Sequence, residues 1–165
     1  MPECNLITSV ILKGKQDDSK KIAFEYSAII LFLSNPSITA ESKEMKELAG
    51  EWECISAVDD GKEIDEATVK KLRLTLTKDG AYKTTLGDRV LFDSTCKIDN
   101  AKTPKSIDMI GTEGENKGKA AQGIYKLVEG KLSICYTMPG KQRPSDFKSE
   151  SGSSATLVRW QRKKR

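Results

Sequence analysis

From Glu51 to the C-terminus, apolar and polar residues alternate with a period of two. Leu72, Leu74 and Leu76 alternate with Arg73, Thr75 and Thr77, the pattern of a strand buried on one face. Trp52, Cys54 and Ser56 alternate in the same way before it, and Tyr82, Thr84 and Leu86 after it. Val90, Phe92, Ser94, Cys96 and Ile98 then share one face of a longer strand. Ser106–Ile110, Gln122–Val128, Lys131–Met138 and Ala155–Arg162 complete the series. Turn signals separate these runs: Asp59-Asp60-Gly61, Asp79-Gly80, Gly87-Asp88 and Glu129-Gly130. Ser42–Leu48 predicts a short helix, and Ile64–Lys71 a short helix or turn across a barrel end. Gly111–Lys119 and Pro139–Pro144 read as loops, and Ser145–Lys148 as a short extended piece.

Regular spacing of about eight or nine short antiparallel strands predicts an all-β sandwich or barrel. Consecutive hairpins favour an up-and-down barrel closed on itself, because closure removes the exposed edges. An eight-stranded barrel is wide enough to fill with side chains or to hold one small ligand.

The chain before this run reads differently. Lys20-Lys21 precede the apolar stretch Ala28–Leu33, and Ser37-Ile38-Thr39-Ala40 follow. A basic region, a short apolar region and a terminal small residue make the pattern of a secretory signal. Cleavage after Ala40 would leave a chain starting at Glu41. Residues 41–47 are then a lead-in, 48–162 the barrel domain and 163–165 a basic tail. The apolar stretch is too short for a transmembrane helix. Glu25 and Ile38 depart from the signal pattern, and the basic pair lies far from Met1, so a true start downstream of Met1 would fit better. The expected location is extracytoplasmic, periplasmic or secreted. If residues 1–40 are instead a strand or helix of the domain, the protein is cytoplasmic.

Composition removes whole classes of chemistry. The 165 residues contain no histidine, which excludes His-ligated haem, His zinc sites, Ser-His-Asp triads and Cys-His dyads. The four cysteines, Cys4, Cys54, Cys96 and Cys135, form no C-x-x-C pair. A net charge of +4 with 32% charged residues is a mild, mixed balance that names no nucleic-acid partner. Gly114–Lys119 is not a phosphate loop: Ala120 stands where a magnesium-binding hydroxyl would be, and a strand follows in place of a helix. Asp59-Asp60 and Glu63-Asp65-Glu66 read as acidic turns, with no carboxylates opposed across a cleft. The expectation is a non-enzymatic protein without metal or cofactor.

Several motifs carry a family resemblance. They are Leu48-Ala49-Gly50-Glu51-Trp52, Asp60-Gly61-Lys62, Thr103-Pro104-Lys105-Ser106-Ile107-Asp108 and the Gly114–Lys119 loop. Gly123-Ile124-Tyr125, Leu132–Tyr136, Pro139-Gly140-Lys141-Gln142-Arg143-Pro144, Phe147 and Leu157–Arg162 complete the set. In order and spacing, Leu48–Arg162 resembles a family of uncharacterised lipocalin-like domains known mainly from planctomycete bacteria. The resemblance implies an up-and-down barrel, often exported or appended to larger proteins, with no established activity. One departure is Cys96, where the resemblance implies a large aromatic. A Gly-x-Trp on the first strand answered by an Arg on the last also resembles the way lipocalin-like barrels close their base. Trp52 and Arg162 are therefore expected to form a structural latch, with Arg159 the competing partner.

Other candidates follow from facing and charge. Leu74, Tyr82, Phe92 and Tyr136 are expected in the barrel interior, and Lys141 and Arg143, near Phe147, at its mouth, where they could meet an anionic ligand. Cys54 and Cys96 share the inward face. They would form a disulfide if their strands come close in an oxidising compartment, and otherwise stay buried thiols. Cys135 faces outward or towards a covering segment. The basic end from Arg159 to Arg165 lacks the aromatic ladder of a single-strand nucleic-acid platform. The chain is expected to be a monomer that binds a small apolar or amphipathic molecule. The alternative is a filled barrel acting as an interaction, inhibitory or regulatory module. A small hydrolase or isomerase is the reading with least support, since fold alone licenses no activity.

Overall fold

Each tight turn sends the chain back beside the strand it has just left. The computed structural model describes residues 43–164, so the proposed export segment lies outside the described residues. Nine strands follow a short helix, α1 (residues 43–48). They are β1 (Gly50–Asp59), β2 (Lys62–Glu63), β3 (Leu72–Leu76), β4 (Ala81–Leu86), β5 (Arg89–Asp99), β6 (Ser106–Gly111), β7 (Ala120–Val128), β8 (Lys131–Thr137) and β9 (Ala155–Arg162). A second short helix, α2 (Glu66–Val69), follows β2, and a 3-10 turn at Gly114–Asn116 lies between β6 and β7. All neighbours are antiparallel, and β9 returns to pair with β1, so eight strands close into an up-and-down barrel. The short β2 stands outside the ring, paired only with the end of β1. Ser145–Lys148, expected as an extended piece, is irregular.

Two bulges reset the alternation. In β1 the register against β9 shifts between Cys54 and Ser56. Ser56 therefore turns outward to meet Arg159, while Ala57 faces in opposite Val158. In β5, Phe92 pairs with Thr84 but Val90 pairs with Thr85, leaving Leu91 as the extra residue. Val90, expected on the inward face, is exposed as a result.

The half of the barrel next to α1 is closely packed, with Trp52, Leu74, Leu76, Ile107 and Tyr125 all buried within one apolar cluster. Met45 and Leu48 of α1 join it, so the helix closes that end. Glu44 of α1 is tied to Lys105 at 2.7 Å. A second cluster lies on the outer face of β7–β9, where Ile124, Cys135, Ala155 and Leu157 are covered by Phe147. Phe147 is itself only partly buried, but the apolar surface it covers on that face is taken out of water, which is favourable. That explains why the irregular segment between β8 and β9 lies against the wall.

Candidate functional site

The two ends of the barrel are built differently. At the base, α1 ends in carbonyls that have no partner within the helix. Arg162 Nη2 donates to Glu47 O at 2.6 Å and Nη1 to Ala49 O at 2.8 Å. Between them, Trp52 Nε1 donates to Leu48 O at 3.0 Å. The guanidinium lies over the Trp52 ring, 4.4 Å from its centroid. First strand, last strand and helix end thus meet in one hydrogen-bonded cluster. Gly50 makes room for it: a Cβ there would stand 2.5 Å from Arg162 Nη1, and its φ of 144° favours glycine. Arg159, the competing candidate, lies outside beside Ser56. The chain after β9 continues along β1, with Lys163 bonded to Glu51 through both backbone and side chain.

At the opposite end the barrel is hollow. A cavity of about 370 Å³ opens there, within the range of small-molecule sites. Trp160, Tyr82 and Met109 contribute its inner lining, and Leu91 and Met138 its exposed lip. Ile64 and Thr68 reach it from the β2–α2 segment. Asp65 caps α2 by accepting from Thr68 N at 2.9 Å and Thr68 Oγ1 at 2.7 Å. These bonds hold the Asp65 carboxyl below its ordinary pKa.

The lining is mostly apolar with a few placed polar groups. Phe92 meets Tyr136 edge-on, with centroids 6.4 Å apart. Burial pushes the Tyr136 phenol up, the Thr156 hydroxyl partly offsets this, and the charge of Asp59 adds to the rise. Burial also raises Tyr82 strongly. Both phenols therefore stay neutral donors near neutral pH. The indole N–H of Trp160 is buried and has no acceptor among the described residues.

Of the expected interior residues, Tyr82, Phe92 and Tyr136 line this cavity. Leu74 does not: it pairs with Trp52 in the closely packed half and is fully buried there. Neither Lys141 nor Arg143 lines the cavity, although Lys141 N donates to the carbonyl of Met138 at its lip, at 3.2 Å. Arg143 is spent on the outer wall, where Nη2 meets Asp108 Oδ1 at 2.6 Å and Nη1 donates to Gly123 O at 2.6 Å. Lys141 is exposed and lines nothing in the cavity. Cys54 and Cys96 are free thiols. Their strands, β1 and β5, are three places apart round the ring, with β3 and β4 between. At about 4.8 Å per strand, that separation exceeds what a disulfide spans. Burial raises both thiols to about 11. Cys135 is also raised to about 11 by burial, and its Sγ donates to Lys148 O at 3.2 Å beneath the covering segment.

Sequence reasoning missed Asp59, Thr84, Thr156 and Trp160 as cavity residues. Thr84, Thr156 and Trp160 were legible by alternation within their strands. Asp59 carried no such signal, because a carboxylate in an Asp-Asp-Gly turn reads as solvated. Among the described residues no group of His, Cys, Asp and Glu could hold a metal ion. No helix among them is long and apolar enough to cross a membrane. Comparison with family models, curated proteins and solved structures returns no match.

Proposed function

We propose that this barrel is a binding protein for a small apolar or amphipathic molecule, taken up through the open mouth. The observation that carries this reading is the cavity of about 370 Å³ at the end opposite the latch. A filled barrel would have favoured an interaction module instead. The volume corresponds to roughly a dozen waters, so the ligand is a compact one. Leu91 and Met138, exposed at the rim, give an apolar molecule a path inward. Export of such a carrier through residues 1–40 belongs to the same proposal.

The test is binding of a neutral fluorescent probe, N-phenyl-1-naphthylamine, to the full chain. Saturable enhancement at a 1:1 ratio is expected. Ala57→Leu adds bulk at a buried lining position and should weaken binding at least tenfold without lowering the melting temperature. No saturable binding by the parent, or equal binding by Ala57→Leu, would refute the proposal.

A further inference from the structure

The cavity has one charged lining residue, and it is an acid. Asp59 ends β1 at the mouth, and no Lys or Arg lines the site. Four aromatic rings do: Tyr82, Phe92, Tyr136 and Trp160. From this combination we infer that the ligand is an organic cation, an ammonium group carried on an apolar tail. The inference rests on the cavity being a binding site, as proposed above, and adds the charge of what it takes.

The carboxylate is held in place before any ligand arrives. Thr156 Oγ1 donates to Asp59 Oδ1 at 2.5 Å. The turn behind it is anchored to the start of β9 and the segment before it. Asp60 N donates to Ala155 O at 2.9 Å, Ser154 N donates to Asp60 Oδ1 at 2.8 Å, and Gly61 N donates to Ser149 Oγ at 3.1 Å. Asp59 enters no ion pair among the described residues, although Lys62 is its cross-strand neighbour. Its charge is therefore available, and its field reaches inward, since it contributes to the rise of the buried Tyr136 phenol. The aromatic rings add to the preference. Their faces attract a cation, while an anion would meet a carboxylate with no base in the cavity lining. Asp59 lies at the solvent edge, so its contribution is that of a partly screened pair. Together the two effects favour a cation over a neutral isostere by roughly five- to thirty-fold.

The experiment compares three molecules with one tail: 4-phenylbutylammonium, 4-phenylbutanol and 4-phenylbutyrate. Each competes with N-phenyl-1-naphthylamine on the full chain at low salt. The expected order is ammonium, then alcohol, then carboxylate, with the ammonium at least fivefold tighter than the alcohol. Asp59→Asn keeps an acceptor for Thr156 and should bring the ammonium down to the alcohol, leaving the alcohol unchanged. Raising the salt should narrow the gap in the parent. Equal affinities, or a preference for the carboxylate, would overturn the cation inference while leaving the binding proposal intact. A preference that survives in Asp59→Asn would overturn the role of Asp59. Failure of the neutral probe itself to bind would remove both.

Discussion

Removing the Arg162 side chain tests whether the base is latched as the geometry indicates. Arg162→Ala deletes two charge-assisted hydrogen bonds, to Glu47 O and Ala49 O, and the stack over Trp52. The carbonyls are solvent-exposed and can turn to water, so each bond contributes about 0.5–1 kcal/mol, below the range for buried charged pairs. The stack adds about 0.5–1 kcal/mol. The expected loss is therefore about 1.5–3 kcal/mol, or a fall in melting temperature of about 6–12 °C for a barrel of this size. Urea titration at neutral pH reads the free energy, and an unchanged slope would show that the unfolded state is not involved. Arg162→Lys keeps the charge but offers a point donor in place of a fork, and should restore less than half the loss. Gly50→Ala provides an independent approach, because its methyl would stand 2.5 Å from Arg162 Nη1. It should destabilise the parent more than it destabilises Arg162→Ala, where only the backbone strain remains. A loss below 0.5 kcal/mol for Arg162→Ala, or full recovery in Arg162→Lys, would refute the latch (both limits taken as about the error of such cycles).

Two further perturbations test other parts of the structure. Arg143→Ala should cost about 1–2 kcal/mol and speed amide exchange in residues 139–154 while leaving probe binding in the cavity intact; loss of binding would mean that Arg143 serves the mouth after all. The three thiols, raised from 9.0 to about 11 by burial, favour the neutral form in the fold. Their contribution is fully present below pH 9.0 and is lost as pH rises to about 11, so unfolding free energy should decline across that window. The raised phenols of Tyr82 and Tyr136 act in the same direction from pH 10.0 upward. Chevron or urea data at stepped pH check this, and a flat profile from pH 9 to 11 would contradict the burial of these groups.

Most of the architecture is legible in the sequence, because a strand with one buried face must alternate and a tight turn must carry a residue that tolerates positive φ. Asp60, Gly61, Gly80, Gly87, Glu129 and Gly130 all do so in the structure. Bulges are not legible in this way. One extra residue at Leu91 sends Val90 outward, and nothing in a period of two announces it. The misplacement of Arg143 has a different cause. Its loop is rich in turn residues and reads as a mouth, whereas the wall it lies on is marked by β8, which is buried on both faces from Leu132 to Cys135. A strand apolar on both faces needs a second cover, and that signal points to the segment from Pro139 to Ser154. The missing disulfide is a matter of ring order, since two inward-facing cysteines share an interior without sharing a neighbouring strand.

The two tryptophans separate the roles of the two ends. Trp52 and Trp160 are both buried, and both face the interior. At the base the Trp52 N–H has Leu48 O within 3.0 Å, as a structural donor should. The Trp160 N–H lines up with no acceptor among the described residues, and Trp160 is part of the cavity lining. A buried donor left without a partner costs about 1–3 kcal/mol. A chain that satisfies Trp52 and the α1 carbonyls with Arg162 has the means to satisfy such groups. That cost falls at the hollow end; an ammonium has no lone pair to accept this N–H, so the proposed cation meets Asp59 and the aromatic rings there. Stability and binding should then be separable: changes at Gly50, Trp52 or Arg162 move the melting temperature, and changes at Ala57 or Asp59 move affinity.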